Sequence, residues 1–300
     1  MKENRHGCIP ALSLTVLLGL LLTLKAGPKD ITDDSASAES AALALAESAR
    51  PADHATLRQQ LRSEDFLARL DSASATRGTR QPRPLLRVLQ TLSSNKTTSA
   101  RQVLIDLTQD GGFNEDADRT DALIRACAAV RPPPPELISF WDQHCQPDDG
   151  FTPLTIPALV ENGSGAALAL FEKKMASDRF TADDKTGWMR SAILTHRNDL
   201  AVLRSCQRLL EAKLPAELRP ALVEVLFDYK PTEWFPPDNL LRPPERARAS
   251  REARAKLREL GTWALRHVSL TEPEKAAVRR TLDDLDKAAG SSIRGVIRSG

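Results

Sequence analysis

Residues 152–163 read TPLTIPALVENG, and this stretch carries the apolar spacing that decides the fold. Ile156, Leu159 and Val160 stand at positions i, i+3 and i+4, which place three apolar side chains on one face of a helix. The segment PALVE within the stretch recurs at residues 220–224, at an offset of 63 residues that is close to two 33-residue periods but in a different register. A helical face that recurs along a chain indicates a repeated structural unit.

The same face returns at intervals of 33 residues. Its three positions are filled by Leu123, Ile156, Met189 and Leu222, by Ala126, Leu159, Ala192 and Val225, and by Cys127, Val160, Ile193 and Leu226. A second series with the same interval consists of Leu104, Leu137, Leu170 and Leu203. Prolines and Asn-Gly or Asn-Asp pairs divide each interval into two helices. The sequence therefore predicts an all-α fold, an α-solenoid of stacked antiparallel helix pairs with a C-terminal helical cap.

Over roughly Pro82 to Tyr229 the chain resembles the HEAT-like class of α-solenoids. The resemblance lies in the architecture, with Pro157 and Pro220 standing where HEAT units commonly carry a proline in their first helix. The Asp and Val-Arg signature of the second HEAT helix is absent from the sequence, as are the characteristic columns of tetratricopeptide and ankyrin repeats. The resemblance implies a helical surface for binding partners.

The composition agrees with a helical protein. Aromatic residues form only 4% of the 300-residue chain, so its core must be built from Leu, Ala, Val and Ile, which favours helices over a β-sandwich or barrel. A charged fraction of 27% beside 41% hydrophobic residues excludes wholesale disorder. The formal net charge of +2 gives no global field directed at nucleic acid or at an acidic substrate.

Residues 1–27 have the pattern of a signal peptide or a signal anchor. A short basic start precedes an uncharged apolar run of about 17 residues from Cys8 to Leu24. Cleavage after Ala26 would leave Leu24 where a small residue is preferred, so both a cleaved signal and an uncleaved anchor stay open. We expect an exported protein, either secreted or single-pass membrane-anchored, and on the periplasmic side in a bacterium.

The rest of the chain divides by composition. We expect a flexible Ser/Ala/Asp spacer at 28–55, the helical-repeat solenoid at 56–230, a Pro-rich loop at 231–244, a basic helical cap at 245–290 and a disordered tail at 291–300. Within the cap, Thr271-Glu272-Pro273-Glu274 is typical of a capping box that opens a helix.

The sequence indicates no catalytic, cofactor or metal site. Cys127, Cys145 and Cys206 lack metal-ligand spacing, and no HExxH, P-loop or GxSxG motif occurs. Residues 93–96 match SxxK and residues 185–187 match KTG, the pair found in penicillin-binding proteins. That chemistry needs the KTG residues on a strand, whereas the spacing around them predicts a helix. Residues 95–97 and 162–164 are glycosylation sequons that matter only in a eukaryotic secretory host.

The strongest local charge is basic. Residues 242–259 hold seven basic and three acidic side chains, a net charge of +4, and they follow a Pro-rich loop that contains two aromatic residues. The candidate partner-binding residues are Trp234, Phe235, Arg246, Arg248, Arg251, Arg254 and Arg258. The arginines could meet an anionic partner, or they could form the solvated face of a capping helix with Glu–Arg pairs along it.

We therefore expect a non-enzymatic scaffold that binds a protein partner on its solenoid surface. The membrane would be contacted through the N-terminal segment, nucleic acid is not an expected partner, and no cofactor or small-molecule substrate is inferred. One alternative is a small helical enzyme or an accessory subunit of one, with its site in the loops around Cys145 or Trp234. The other is an envelope structural protein that binds anionic lipid through its basic C-terminal helix.

Overall fold

The computed structural model describes residues 31–75, 83–196, 199–212, 214–215, 217–227 and 243–297, with the backbone alone for 31–36, 72–75, 195, 243–250 and 288–297. These residues form fifteen helices and no strand, as the composition predicts. The helices are α1 Ile31–Glu47, α2 Pro51–Gln60, α3 Glu64–Ala75, α4 Pro84–Ser94, α5 Thr98–Thr108, α6 Gly111–Asn114, α7 Ala117–Cys127, α8 Pro135–Gln143, α9 Thr152–Asn162, α10 Gly165–Ala176, α11 Ala182–His196, α12 Leu200–Glu211, α13 Arg219–Phe227, α14 Pro243–His267 and α15 Glu272–Ile297.

The principal contacts arrange thirteen of these helices in two rows. In the first row, α1, α4, α7, α9, α11, α13 and α15 pack each against the next. In the second row, α2, α5, α8, α10, α12 and α14 do the same. Contacts such as α1 with α2, α4 with α5, and α9 with α10 join the rows. Helix α3 packs on α1 and α4, and the four-residue α6 packs between α5 and α7.

Every apolar position of the 33-residue series is buried. Leu123, Ile156, Met189 and Leu222 lie on successive helices of the first row, and each is fully inaccessible to solvent. Leu104, Leu137, Leu170 and Leu203 lie on successive helices of the second row and are at most 6% exposed. The two series of the sequence therefore correspond to the two rows of helices.

Asn162 fixes the joint between α9 and α10. It is fully buried, and its amide nitrogen donates to the carbonyls of Ala128 and Val130, which follow α7, at 3.0 and 2.9 Å. Gly163 takes the left-handed conformation that ends α9, with φ of 65°. Ser164 then caps α10 by accepting the backbone N–H of Ala167.

Asn95 makes the same kind of joint between α4 and α5. Its amide nitrogen donates to the carbonyls of Ala46 and Ser48 at 2.9 and 2.8 Å, so it ties the end of α4 to the end of α1. Its carbonyl oxygen accepts the N–H of Thr97, whose hydroxyl caps α5. Both sequons therefore act as structural joints, and the amide nitrogen of Asn162 is not accessible to modification in the folded chain.

The prediction of a flexible spacer at 28–55 is wrong for the part that the structure describes. Residues 31–47 form α1, which packs against α2, α3 and α4, and residues from Pro51 onward form α2. Ala42 and Ala46 are fully buried, and Ala38 is 9% exposed. The interacting face is a stripe of alanines at i, i+4 and i+8, which lets the helices approach closely without the large apolar residues by which amphipathic helices are recognised.

The C-terminal region forms two long helices, of which α14 corresponds to the predicted basic helix. The sequence predicts an apolar stripe at Ala249, Ala253, Leu257, Leu260, Ala264 and Val268. Its four members from Ala253 to Ala264 are buried, Val268 is half-buried, and the side chain of Ala249 is not described. The capping box is confirmed, since Glu274 accepts the N–H of Thr271 at 2.6 Å and Thr271 accepts that of Glu274 at 3.5 Å. Residues 291–297, predicted as a disordered tail, continue α15, because its two glycines, Gly290 and Gly295, weaken a helix without ending it.

No helix in the described ranges is both long and apolar enough to cross a membrane. The predicted signal or anchor segment at 1–27 lies outside those ranges.

Candidate functional site

The structure places three of the predicted partner-binding residues and leaves four outside its description. Trp234, Phe235 and most of the Pro-rich loop are not among the described residues, and the side chains of Arg246 and Arg248 are not described. Arg251, Arg254 and Arg258 lie on α14 at i, i+3 and i+7. Arg251 is exposed, whereas Arg258 is half-buried and pairs with Asp286 of α15 at 2.8 Å. The basic face of α14 is therefore partly used within the fold.

A groove of about 420 Å³ lies at the other end of the same helix. It is lined by Leu210, Glu211, Leu214, Arg219, Trp263, His267, Val268 and Ser269, and we call it the C-terminal groove. These residues come from the end of α12, the start of α13 and the end of α14. The groove exists because α12 and α14 are neighbours in the second row, so their C-terminal turns border a common space.

An aromatic pair forms one wall of the C-terminal groove. The rings of Trp263 and His267 are stacked, with centroids 5.4 Å apart and planes 17° from parallel. The His267 Nδ1 lies 3.0 Å from the carbonyl of Trp263, which holds the imidazole over the indole. Trp263 is half-buried and His267 is exposed, so the wall offers a rigid aromatic surface with a polar edge.

Charged groups also line the C-terminal groove. Arg219 is 24% exposed, and its Nε lies 3.5 Å from the carboxylate of Glu274, the residue that caps α15. Glu211 is exposed at the end of α12. Tryptophan and arginine are enriched among the residues that dominate binding energy in protein interfaces. This arrangement suits the anchoring of a partner's side chains.

The surroundings of Cys145 do not form a nucleophilic site. The thiol is fully buried, and desolvation raises its pKa to about 12, although the charge of Lys174 lowers it. The Lys174 ammonium donates to the carbonyl of Cys145 at 2.6 Å and lies 2.5 Å from the carboxylate of Asp142, so it closes the end of α8. His144 pairs with Asp149 between two phenylalanine rings.

The other two described thiols are equally unreactive. Burial raises the pKa of Cys206 to about 12 and that of Cys127 well above its ordinary value. All three thiols are free and buried. A thiol in such surroundings behaves as a small apolar side chain.

Two hydroxyl–base pairs also lack catalytic geometry. Ser93 lies in the last turn of α4 and donates to the carbonyl of Gln90, while Lys96 lies beyond the end of that helix. The KTG residues 185–187 lie in α11 rather than on a strand, as the sequence predicts.

His54 lies 2.7 Å from the hydroxyl of Ser99, but its other ring nitrogen faces the Asn95 amide rather than a carboxylate. Within the described ranges, no cluster of His, Cys, Asp and Glu has the arrangement of a metal site.

The sequence predicts a binding face on α14, but it did not indicate Trp263 and His267 of the same helix or Arg219 of α13. Trp263 and His267 are spaced i, i+4 on a helix that is otherwise basic, and this aromatic spacing is the signal that could have indicated them. Arg219 could not be found in this way, because only the packing of α13 against α15 brings it to the groove.

No protein-family model matches this chain, and neither a curated protein nor a solved structure does so.

Proposed function

We propose that the protein is a non-enzymatic scaffold that binds a protein partner, with the C-terminal groove as its main contact. The main support for this proposal is the half-buried Trp263, which is stacked on His267 in a groove that Arg219 also lines. An aromatic anchor in a concave site with a charged rim is the usual composition of a protein-binding hot spot. The free thiols of the described residues are buried, which lowers their reactivity as nucleophiles.

The scaffold would be an α-solenoid of antiparallel helix pairs, similar to the HEAT-like class. The two rows of helices and the burial of both 33-residue series support this arrangement. Polar links between neighbouring helices of a row give further support, because they join residues about one period apart. Arg190 pairs with Glu224, Ser205 donates to Glu172, and Lys174 pairs with Asp142, at sequence separations of 34, 33 and 32 residues.

The proposed location is outside the cytoplasm, with the N-terminal segment 1–27 as an anchor or an export signal. The proposed partner is a protein, and the membrane is contacted through that segment. A protein partner is favoured over anionic lipid for the basic helix, since Arg258 and Lys256 are already paired with Asp286 and Glu259. Each pair reduces the positive charge available to a lipid surface.

Site-specific crosslinking in cells tests this proposal. A photoreactive residue at Ser269, on the rim of the groove, should capture a defined protein that mass spectrometry identifies. The same residue at Leu194, which is 52% exposed on α11, is the matched control. Recovery of the same proteins from both positions would contradict a groove-directed interaction.

The identified partner should then bind the purified full chain through the aromatic pair. Trp263→Ala should weaken the affinity by about 30-fold, since truncating a hot-spot residue costs about 2 kcal/mol. His267→Ala, at an exposed position, should weaken binding without disturbing the fold. Unchanged affinity in both variants, or hydrolytic turnover by the pure chain, would overturn the proposal.

A further inference from the structure

A second site lies between α4–α5 and the segment that follows α7. It is a pocket of about 170 Å³ whose lining includes Ser93, Ser94, Lys96, Arg101 and Arg131, and we call it the cation pocket. Lys96 belongs to the joint after α4, Arg101 to α5, and Arg131 to the segment between α7 and α8. Three chain segments therefore each contribute one positive charge to the same small space.

The lining of the cation pocket contains no acidic residue. This differs from the other junctions between neighbouring helices, where cations meet carboxylates: Arg58 with Asp106, Arg87 with Glu39, and Arg208 with Glu172. Within the described part of the chain, Lys96 and Arg101 form no ion pair. Like charges that converge without a counter-charge repel one another, and such departures from local pairing are typical of functional sites.

The neutral polar groups of the pocket are already engaged. The hydroxyls of Ser93 and Ser94 donate to the carbonyl of Gln90, and the amide of Asn95 is used in the joint to α1. Arg131 uses one of its five N–H groups to bind the carbonyl of Glu161. Among the side chains of the pocket, the donors left for a ligand are therefore those of the three cations.

The shape and the floor of the pocket limit the ligand further. Leu92 and Leu104 are fully buried and Val130 is 3% exposed, so the floor is apolar and strengthens charge interactions above it. A volume of 170 Å³ corresponds to roughly six water molecules at ~30 Å³ each, which accommodates a group of about five heavy atoms. The C-terminal ends of α4 and α7 border the pocket, and the negative ends of their dipoles stabilise the three cations while weakening the attraction for an anion.

We propose that the cation pocket binds a phosphate group carried as a monoester or as the free ion. Its charge of about −1.5 to −2 at neutral pH matches three cations better than the single charge of a carboxylate does. Its tetrahedral oxygens can accept hydrogen bonds from donors on three separate segments, whereas a planar carboxylate suits one arginine. The phosphate could belong to a soluble molecule or to a lipid headgroup.

Calorimetric titration of the full chain with sodium phosphate at constant ionic strength tests this site. We expect saturable binding of one phosphate per chain, and weaker binding of acetate. Arg101→Gln should lower the affinity at least tenfold, and the exposed Lys96→Gln should do so without affecting the fold. Arg204→Gln removes an exposed arginine of α12 and should leave the affinity within twofold of the original.

A vesicle-binding experiment distinguishes a phosphate on a lipid headgroup from one on a soluble molecule. Vesicles that contain phosphatidic acid should bind the full chain, and lose binding in Lys96→Gln, if the group belongs to a lipid. Phosphate binding without such vesicle binding assigns the pocket to a soluble molecule, and either result supports the site. Absence of saturable phosphate binding, acetate binding as tight as that of phosphate, or an equal loss in Arg204→Gln would overturn it.

Discussion

Two asparagines make equivalent joints in different solvent environments. Asn162 and Asn95 each donate from one amide to two carbonyls at the end of the preceding first-row helix. Asn162 is fully buried, whereas Asn95 is half-exposed. Water can replace the lost bonds near Asn95 but not those near Asn162.

Replacing these residues should therefore have unequal effects. Asn162→Ala leaves two buried carbonyls without donors, and we expect a loss of about 2–4 kcal/mol in the free energy of unfolding. Asn95→Ala should cost about 1 kcal/mol, because solvent reaches that joint. Urea unfolding followed by circular dichroism measures both values. Equal losses would show that burial of the amide does not determine its contribution.

His196 should make the fold sensitive to mild acid. It ends α11, and burial lowers its pKa below the ordinary value of 6.5, aided by Arg131 and opposed by Glu161 and Asp199. The unfolded chain therefore binds the proton more tightly than the native chain does. Stability should be full above pH 6.5 and fall as the pH drops from there towards the lower native pKa.

Urea midpoints at pH 7.5 and at pH 5.5 test this prediction. His196→Gln should remove part of the difference between them, since glutamine does not titrate. The same difference in the variant and in the original chain would assign the acid sensitivity to other groups.

At the scale of the helix, α1 shows what sequence periodicity could not predict. Its packing rests on Ala38, Ala42 and Ala46 and on an ion pair between Glu39 and Arg87 of α4 at 2.6 Å. A stripe of alanines differs little in hydrophobicity from its surroundings, and the 2% exposed Glu39 pairs with an arginine that is distant in sequence. In contrast, the leucine-rich helices from α4 to α13 were predictable, because each buries a large apolar face.

The docking of α1 can be tested through Arg87. Arg87→Met removes the cation from the buried Glu39 carboxylate, and we expect a loss of about 1–3 kcal/mol, discounted for the 39% exposure of Arg87. Arg190→Met is the matched control, because Arg190 and Glu224 are both about half-exposed. It should change stability by less than about 0.5 kcal/mol.

Hydrogen exchange locates the effect of these two variants. The Arg87 variant should lose protection first in α1, which is tied to α4 by the broken pair. Uniform loss of protection over all helices would contradict this local role.

At the scale of the molecule, burial in the two rows depends on every helix being present. Leu170 lies in the second row and is 6% exposed, so Leu170→Asp places a charge inside the stack. We expect a loss of at least about 3 kcal/mol and a cooperative loss of the helical circular dichroism signal. Leu194→Asp makes the same substitution at a leucine that is 52% exposed and should have little effect. Equal stability of the two variants would contradict the assigned core.

The candidate site could be predicted only in part, because it depends on how the helices of the whole molecule pack together. The basic helix could be identified because charge and periodicity are properties of a single segment. The C-terminal groove and the cation pocket each combine three segments that are distant in sequence, such as Lys96, Arg101 and Arg131. Residues from distant segments meet at one site only when their helices become neighbours in the fold. The spacing of residues along the sequence contains little information about which helices do so.

The order of contacts along the two rows has a consequence for biosynthesis. No principal contact in the described chain joins helices more than three places apart, and the packing of α1 on α4 and of α2 on α5 is complete within residues 31–108. Local contacts cost little loop-closure entropy and form rapidly. At about 5–20 residues per second, synthesis of residues 109–300 takes roughly 10–40 s. We therefore expect the N-terminal helices to be packed while most of the chain is still being translated.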